Sequence, residues 1–177
     1  MRLTRRRSLL MGAAVLAAPA AARGAISNDQ RQKLAQKALA EALQVEQTAV
    51  VAYEAIANSG HLSNRITSVL RALQDDDREH ADQLVTALEN LGVKPPIPPR
   101  RATIQGLAHV RTDPEASEFA IVLERRAVAA YLEVVRNLSD ANLLRTVSGA
   151  MGTDGQHLVV LRELSHRPPV SGAFERG

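Results

Sequence analysis

Glu46-Gln47-Thr48-Ala49-Val50-Val51-Ala52-Tyr53 is matched further along the chain by Glu124-Arg125-Arg126-Ala127-Val128-Ala129-Ala130-Tyr131. Each stretch is followed by an acid and a histidine three residues apart: Asp77-Arg78-Glu79-His80 after the first, Asp154-Gly155-Gln156-His157 after the second. The Glu and Tyr recur at an offset of 78 residues, and the Asp and His at 77. Two halves thus carry the same four polar residues in the same order, at spacings that suit one face of a helix.

Apolar residues surround these positions at alternating steps of four and three. The first helical segment gives Leu39, Leu43, Glu46, Val50 and Tyr53; the second gives Leu70, Leu73, Asp77, His80, Leu84 and Ala87. The third gives Ile121, Glu124, Val128, Tyr131 and Val135; the fourth gives Val147, Ala150, Asp154, His157 and Leu161. This is the inward pattern of a helical bundle. The boundaries follow from punctuation. Ser27 or Asn28 can cap a helix ending near Asn58, and Ser59-Gly60 stops it. A second helix runs from Leu62 or Ser63 to Leu91 and Gly92. Pro95, Pro96, Pro98 and Pro99 admit no helix, so residues 93 to 112 form a connection. Asp113-Pro114-Glu115 predicts the start of a third helix, with Asp113 as cap, and it reaches Leu138. The fourth runs from Ala141 to Ser165. The fold class is all-α: an up-down four-helix bundle of two helical hairpins joined by one long crossover that spans the bundle's length.

Glu46, Asp77, His80, Glu124, Asp154 and His157 interrupt otherwise apolar seams near mid-helix, where antiparallel helices meet at one level. Buried and unpaired, such carboxylates would be costly or would take up protons. Two divalent cations would balance four carboxylates, with both imidazoles neutral. Oxygen and imidazole ligands suit Fe or Mn, and less selectively Zn. The glycines Gly149, Gly152 and Gly155 disfavour the fourth helix and suggest a close helix contact or a bulge beside Asp154. Asp75, Asp76, Glu79 and Asp82 read as a solvated face, with Glu79 a substitute ligand should Asp77 fall short. His61, His109 and His166 fall at helix ends or in the crossover and are assigned no role.

Residues 28–166 resemble the ferritin-like di-iron and di-manganese carboxylate bundles, rubrerythrin-like members especially, which use one Glu from each of two helices and a Glu-x-x-His pair from each of the other two. The resemblance implies metal-bridging roles for Glu46 and Glu124. It implies terminal ligation by Asp77 with His80 and by Asp154 with His157. Asp77-Arg78-Glu79-His80-Ala81 resembles the Glu-x-x-His-Ala stretch of that family, with Asp in place of Glu in both halves, a side chain about an ångström shorter in reach. Ala127 stands where some members carry a further carboxylate, so no seventh ligand is expected. Tyr53 and Tyr131, two turns from the glutamates on the same face, are placed to hydrogen-bond a ligand carboxylate, to serve a radical or electron relay, or to be plain core tyrosines.

Outside the bundle, Thr4-Arg5-Arg6-Arg7-Ser8-Leu9-Leu10 opens a basic, apolar and small-residue sequence ending at Ala20-Ala21-Ala22. This predicts a signal peptide over residues 1–22. It resembles a twin-arginine leader, with a general secretory leader as the alternative, and it implies an exported, periplasmic or extracytoplasmic protein. The leader holds four arginines and no acid, so the net charge of +3 is its doing: the remaining 18 basic and 19 acidic residues leave the body at −1. The body carries no nucleic-acid footprint and no predicted membrane segment. Absence of cysteine excludes disulfides, thiolate catalysis and Cys-ligated zinc. With 2% aromatic residues, the core must be Leu, Val, Ile and Ala. Residues 167–177, opening with Arg167-Pro168-Pro169, read as a loose tail.

The function expected is an exported metalloprotein with a dinuclear carboxylate/His site, performing redox chemistry on dioxygen or peroxide as a di-metal oxidoreductase. Ferroxidase, peroxidase and catalase-like activities all stay open, as does a homo-oligomer. The alternative is a metal-free bundle with a structural or stress-protective role in the cell envelope.

Overall fold

A computed structural model describes residues 27–170. The leader expected over residues 1–22 lies outside them, as do residues 171–177 of the expected tail. Among the described residues there are four long helices and no strand: α1 (Asn28–Ala57), α2 (Asn64–Asn90), α3 (Asp113–Asn137) and α4 (Ala141–Leu164). None is long and apolar enough to cross a membrane.

Each helix begins where a side chain can satisfy its free amide groups. Ser27 caps α1 in a reciprocal box with Gln30, Ser63 caps α2, and Asp140 caps α4. At α3 the cap is Thr112, in a box with Glu115, and not the expected Asp113. Asp113 instead ties two helices together, since its carboxylate accepts from the backbone N–H and hydroxyl of Ser63, at 2.9 and 2.5 Å. The starts of α2 and α3 are thereby joined at one end of the bundle. Gly92, with φ of 70°, closes α2 in the left-handed conformation at the other end.

The crossover therefore runs the full bundle length. It is anchored where Gln47 Nε2 donates to the Pro96 carbonyl at 3.2 Å. Further along, Leu107 and Val110 sink into the core. Gly106, just before Leu107, has φ of 83°, and a Cβ there would stand 3.5 Å from the Phe119 ring.

Contacts between helices fix their directions. Gln36 near the start of α1 reaches the Leu91 carbonyl after α2, while Val50 receives Gln74 from mid-α2, so the pair is antiparallel. α1 packs along α2 and α3, and α3 along α4, whereas α2 and α4 close the fourth side through a thinner seam.

The apolar interior is two half-cores. One contains Ile56, Leu70, Ile121, Leu158 and Leu161; the other contains Leu39, Leu43, Leu88, Val134 and Val147. Each fully buried leucine contributes about 1.5–3 kcal/mol. The two half-cores flank a polar layer between them.

Candidate metal centre

The structure brings all six ionisable seam residues into that layer. Glu46, Asp77, Glu124 and Asp154 are at most 1% exposed, and His80 and His157 are 7% and 5% exposed. Glu46 comes from α1, Asp77 and His80 from α2, Glu124 from α3, and Asp154 and His157 from α4. Asp and His sit one turn apart on the same face because three residues span most of a helical turn.

Two overlapping sets of donor atoms result. Glu46, Asp77 and His80 each offer an atom within 4.8 Å of the others, and so do Asp77, Glu124, Asp154 and His157. Asp77 belongs to both. The shorter aspartate side chains therefore do reach the layer, and Glu79, the substitute, stays exposed.

Each histidine faces carboxylates of both hairpins. His80 Nδ1 lies 3.5 Å from Glu46 Oε1 in its own hairpin and 3.4 Å from Asp154 Oδ1 in the other. His157 Nδ1 lies 3.1 Å from Glu124 Oε2 in its own hairpin and 3.7 Å from Asp77 Oδ1 in the other. Helical period placed each aspartate beside its own histidine. The packing of α2 against α4 also sets each aspartate against the histidine of the opposite helix.

Much of the layer has no protein partner. Both oxygens of Glu46, both of Asp154, Asp77 Oδ1 and His80 Nδ1 are sealed from solvent without a hydrogen bond. An orphaned buried polar group costs on the order of 1–3 kcal/mol, and more when charged. Concentrated acidic charge moves the protonation equilibria. Burial, then the charges of Glu46 and Glu124, push Asp154 up to about 10. Burial, then Glu124 and Glu46, raise Asp77 well above the carboxylate range. Burial works to lower His157, but its hydrogen bond to Glu124 and that carboxylate's charge, joined by Asp76, raise it overall.

The tyrosines back the layer from the two half-cores. Tyr53 donates to Glu124 Oε1 at 2.5 Å. Tyr131 faces Glu46 but its hydroxyl closes no hydrogen bond of normal geometry. Its ring packs edge-on against His80, with centroids 6.3 Å apart. Burial first, then the facing glutamate, raises both hydroxyls, so they remain protonated donors.

One participant is not visible in the sequence pattern. Asp76, expected on the solvated face, is 53% exposed in its side chain, yet its Oδ2 stands 3.1 Å from His157 Nε2. The available signal is chemical: a ligating imidazole has a second nitrogen that needs an acceptor. The α4 glycines serve neither suggested purpose. The helix is α-helical throughout, and a Cβ at Gly149, Gly152 or Gly155 would meet nothing within 4 Å.

Known proteins share this architecture. The family model described as "Ferritin-like domain" matches residues 34–167. The crystal structure of a conserved hypothetical protein, rv2844, from Mycobacterium tuberculosis superposes with a TM-score of 0.68 at 20% identity, covering 81% of this chain and 99% of that one. Among curated proteins nothing matches.

Proposed function

This chain belongs to the ferritin-like domain family, and from that premise we propose that it is an exported metalloprotein holding two divalent ions, Fe or Mn, for redox chemistry with dioxygen or peroxide. The observation that carries the reading is the set of sealed, unpartnered donor atoms on Glu46, Asp77, His80 and Asp154. Four carboxylates and two imidazoles match two divalent ions in charge and in donor type. Glu46, Asp77 and His80 would hold one ion, and Glu124, Asp154 and His157 the other, with Asp77 within reach of both sets. Such a pair of ions supplies electron exchange with a small oxidant.

The protein's own groups prepare the site. Asp76 accepts from His157 Nε2 and so turns Nδ1 inward to Glu124 and Asp77. Tyr53 fixes one oxygen of Glu124 and leaves Oε2 facing His157. The apolar half-cores keep bulk water from either end of the layer. Export rests on the basic and apolar leader over residues 1–22.

A second reading has its own support: the raised Asp77 and Asp154 can hold protons where metals would sit, as in a metal-free envelope protein. Elemental analysis of the natively exported protein separates the two. About two metals per chain are expected, falling below about one in the His80→Ala/His157→Ala double variant. Fewer than about one in the wild type, unchanged in the double variant, favours the metal-free reading.

A further inference from the structure

The thin α2/α4 seam holds a cleft of about 320 Å³. Asp76, Glu79 and His80 line it from α2, and Arg145, Gly149 and Thr153 from α4. His80 is 7% exposed and its Nδ1 is sealed and unpaired, directed at Glu46 and Asp154. The ring therefore meets the cleft with its opposite edge and separates the cleft from the buried carboxylates. The equivalent edge of His157 is covered by the Asp76 carboxylate, so the opening is one-sided.

Gly149 lines the cleft from α4. Its backbone is ordinary helix, where glycine costs about 1 kcal/mol relative to alanine. No neighbour demands it, since a Cβ there would meet nothing within 4 Å. The position opens on the cleft, so a bulky side chain there would enter it. Two carboxylates against one guanidinium make the mouth negative, which favours approach of a cation.

We propose that this cleft is the route by which divalent cations reach the buried centre, passing the outer edge of His80, with Glu79 and Asp76 drawing them to the mouth. The route rests on the metal-centre reading. Stopped-flow absorbance follows Co²⁺ uptake, and the Co²⁺ bound at equilibrium is counted. Gly149→Phe fills the cleft and is expected to slow uptake by about tenfold or more with the final count unchanged. Gly152→Phe, on the same helix outside the cleft, should load at the wild-type rate. Glu79→Gln adds no bulk and should slow uptake by about threefold at low salt, with the difference vanishing at high salt. Wild-type rates in both Gly149→Phe and Glu79→Gln overturn the route while leaving the metal centre standing. A wild type that binds no Co²⁺ overturns the metal centre, and the route with it.

Discussion

The Glu46–His80 half of the centre and the Glu124–His157 half carry the same residues on equivalent helices, yet they are completed differently. Around His157, Glu124 accepts from Tyr53, the histidine's inner nitrogen faces Glu124, and its outer nitrogen faces Asp76. Around His80, neither oxygen of Glu46 has a donor, the inner nitrogen is unpaired, and the outer edge meets an open cleft. The repeat thus settles which residues reach the buried layer, and residues beside the repeat settle how each is held. The position equivalent to Asp76 is Thr153, whose hydroxyl turns back to donate to the Gly149 carbonyl of its own helix at 3.3 Å. Glu124 and His157 are held in place by their neighbours, whereas Glu46 and His80 in one half and Asp154 in the other are left for a ligand to complete.

The halves agree in their aspartates, and that shared feature carries the largest expected effect. The Asp154 carboxyl rises from 3.8 to about 10, and Asp77 is raised as well. Across that window the native metal-free protein holds protons that the unfolded chain has released, so its stability falls as pH rises. His157 acts in the same direction: raised above 6.5, its contribution is present at low pH and lost as pH climbs through the folded value. The slope is about 1.4 kcal/mol per pH unit for each proton held by the cluster as a whole. Urea midpoints of chelated protein should therefore drop steadily from pH 5 to 9, and Asp154→Asn should flatten the line. Saturating Mn²⁺ should oppose the drop, because metal replaces those protons and binds more tightly as pH rises. A midpoint independent of pH in the chelated protein would mean that the aspartates stay ionised in both halves.

The tyrosines distinguish the halves more locally. Tyr53→Phe removes the donor to Glu124 Oε1 and leaves a buried carboxylate oxygen unsatisfied, a loss of about 1–3 kcal/mol in the metal-free protein. Tyr131→Phe removes a hydroxyl whose contact with Glu46 falls short of normal hydrogen-bond geometry, so its loss should be smaller than that of Tyr53→Phe. Chemical denaturation of the two chelated variants reads the difference directly. Equal losses would show that the Tyr131 hydroxyl engages Glu46 in solution and that the two halves are alike at this point.

Much of this architecture is legible in the sequence. The prolines after Lys94 and the cap at Ser27 set helix boundaries by local chemistry alone. The six ionisable residues stand out because each breaks an apolar seam. Thr112 escapes notice as the α3 cap because Pro114 draws attention to Asp113, although Thr112 and Glu115 form the reciprocal box. The crossed contacts are not legible, because helical period fixes a face and a level but not the neighbour across the interface. Nor is the cleft: glycine at 149 has the same spelling whether it admits a packed helix or leaves a space. Asp76 is hidden by its place in an acidic run of which only Asp77 is buried.

Asp76 also supplies the smallest and most selective test of the asymmetry. Its carboxylate holds the Nε2 side of His157 and so sets which nitrogen points inward. Because the side chain is 53% exposed, water can replace part of what Asp76→Ala removes. The effect should therefore sit at the low end for such partners, about tenfold weaker binding. It should fall on one metal of the pair, since only one histidine loses an acceptor. Thr153→Ala, the equivalent change in the other half, should leave both affinities unaltered, because the Thr153 hydroxyl is spent on its own helix. Competition of each variant against a chelator, with Co²⁺ as the probe, resolves the two steps at equilibrium and is insensitive to how fast the ions arrive. A single weakened step in Asp76→Ala means that the acid beside Asp77 fixes one half of the centre. Unchanged affinities in both variants mean that the packing of the four helices alone orients His157, and that Asp76 has no part in the difference between the halves.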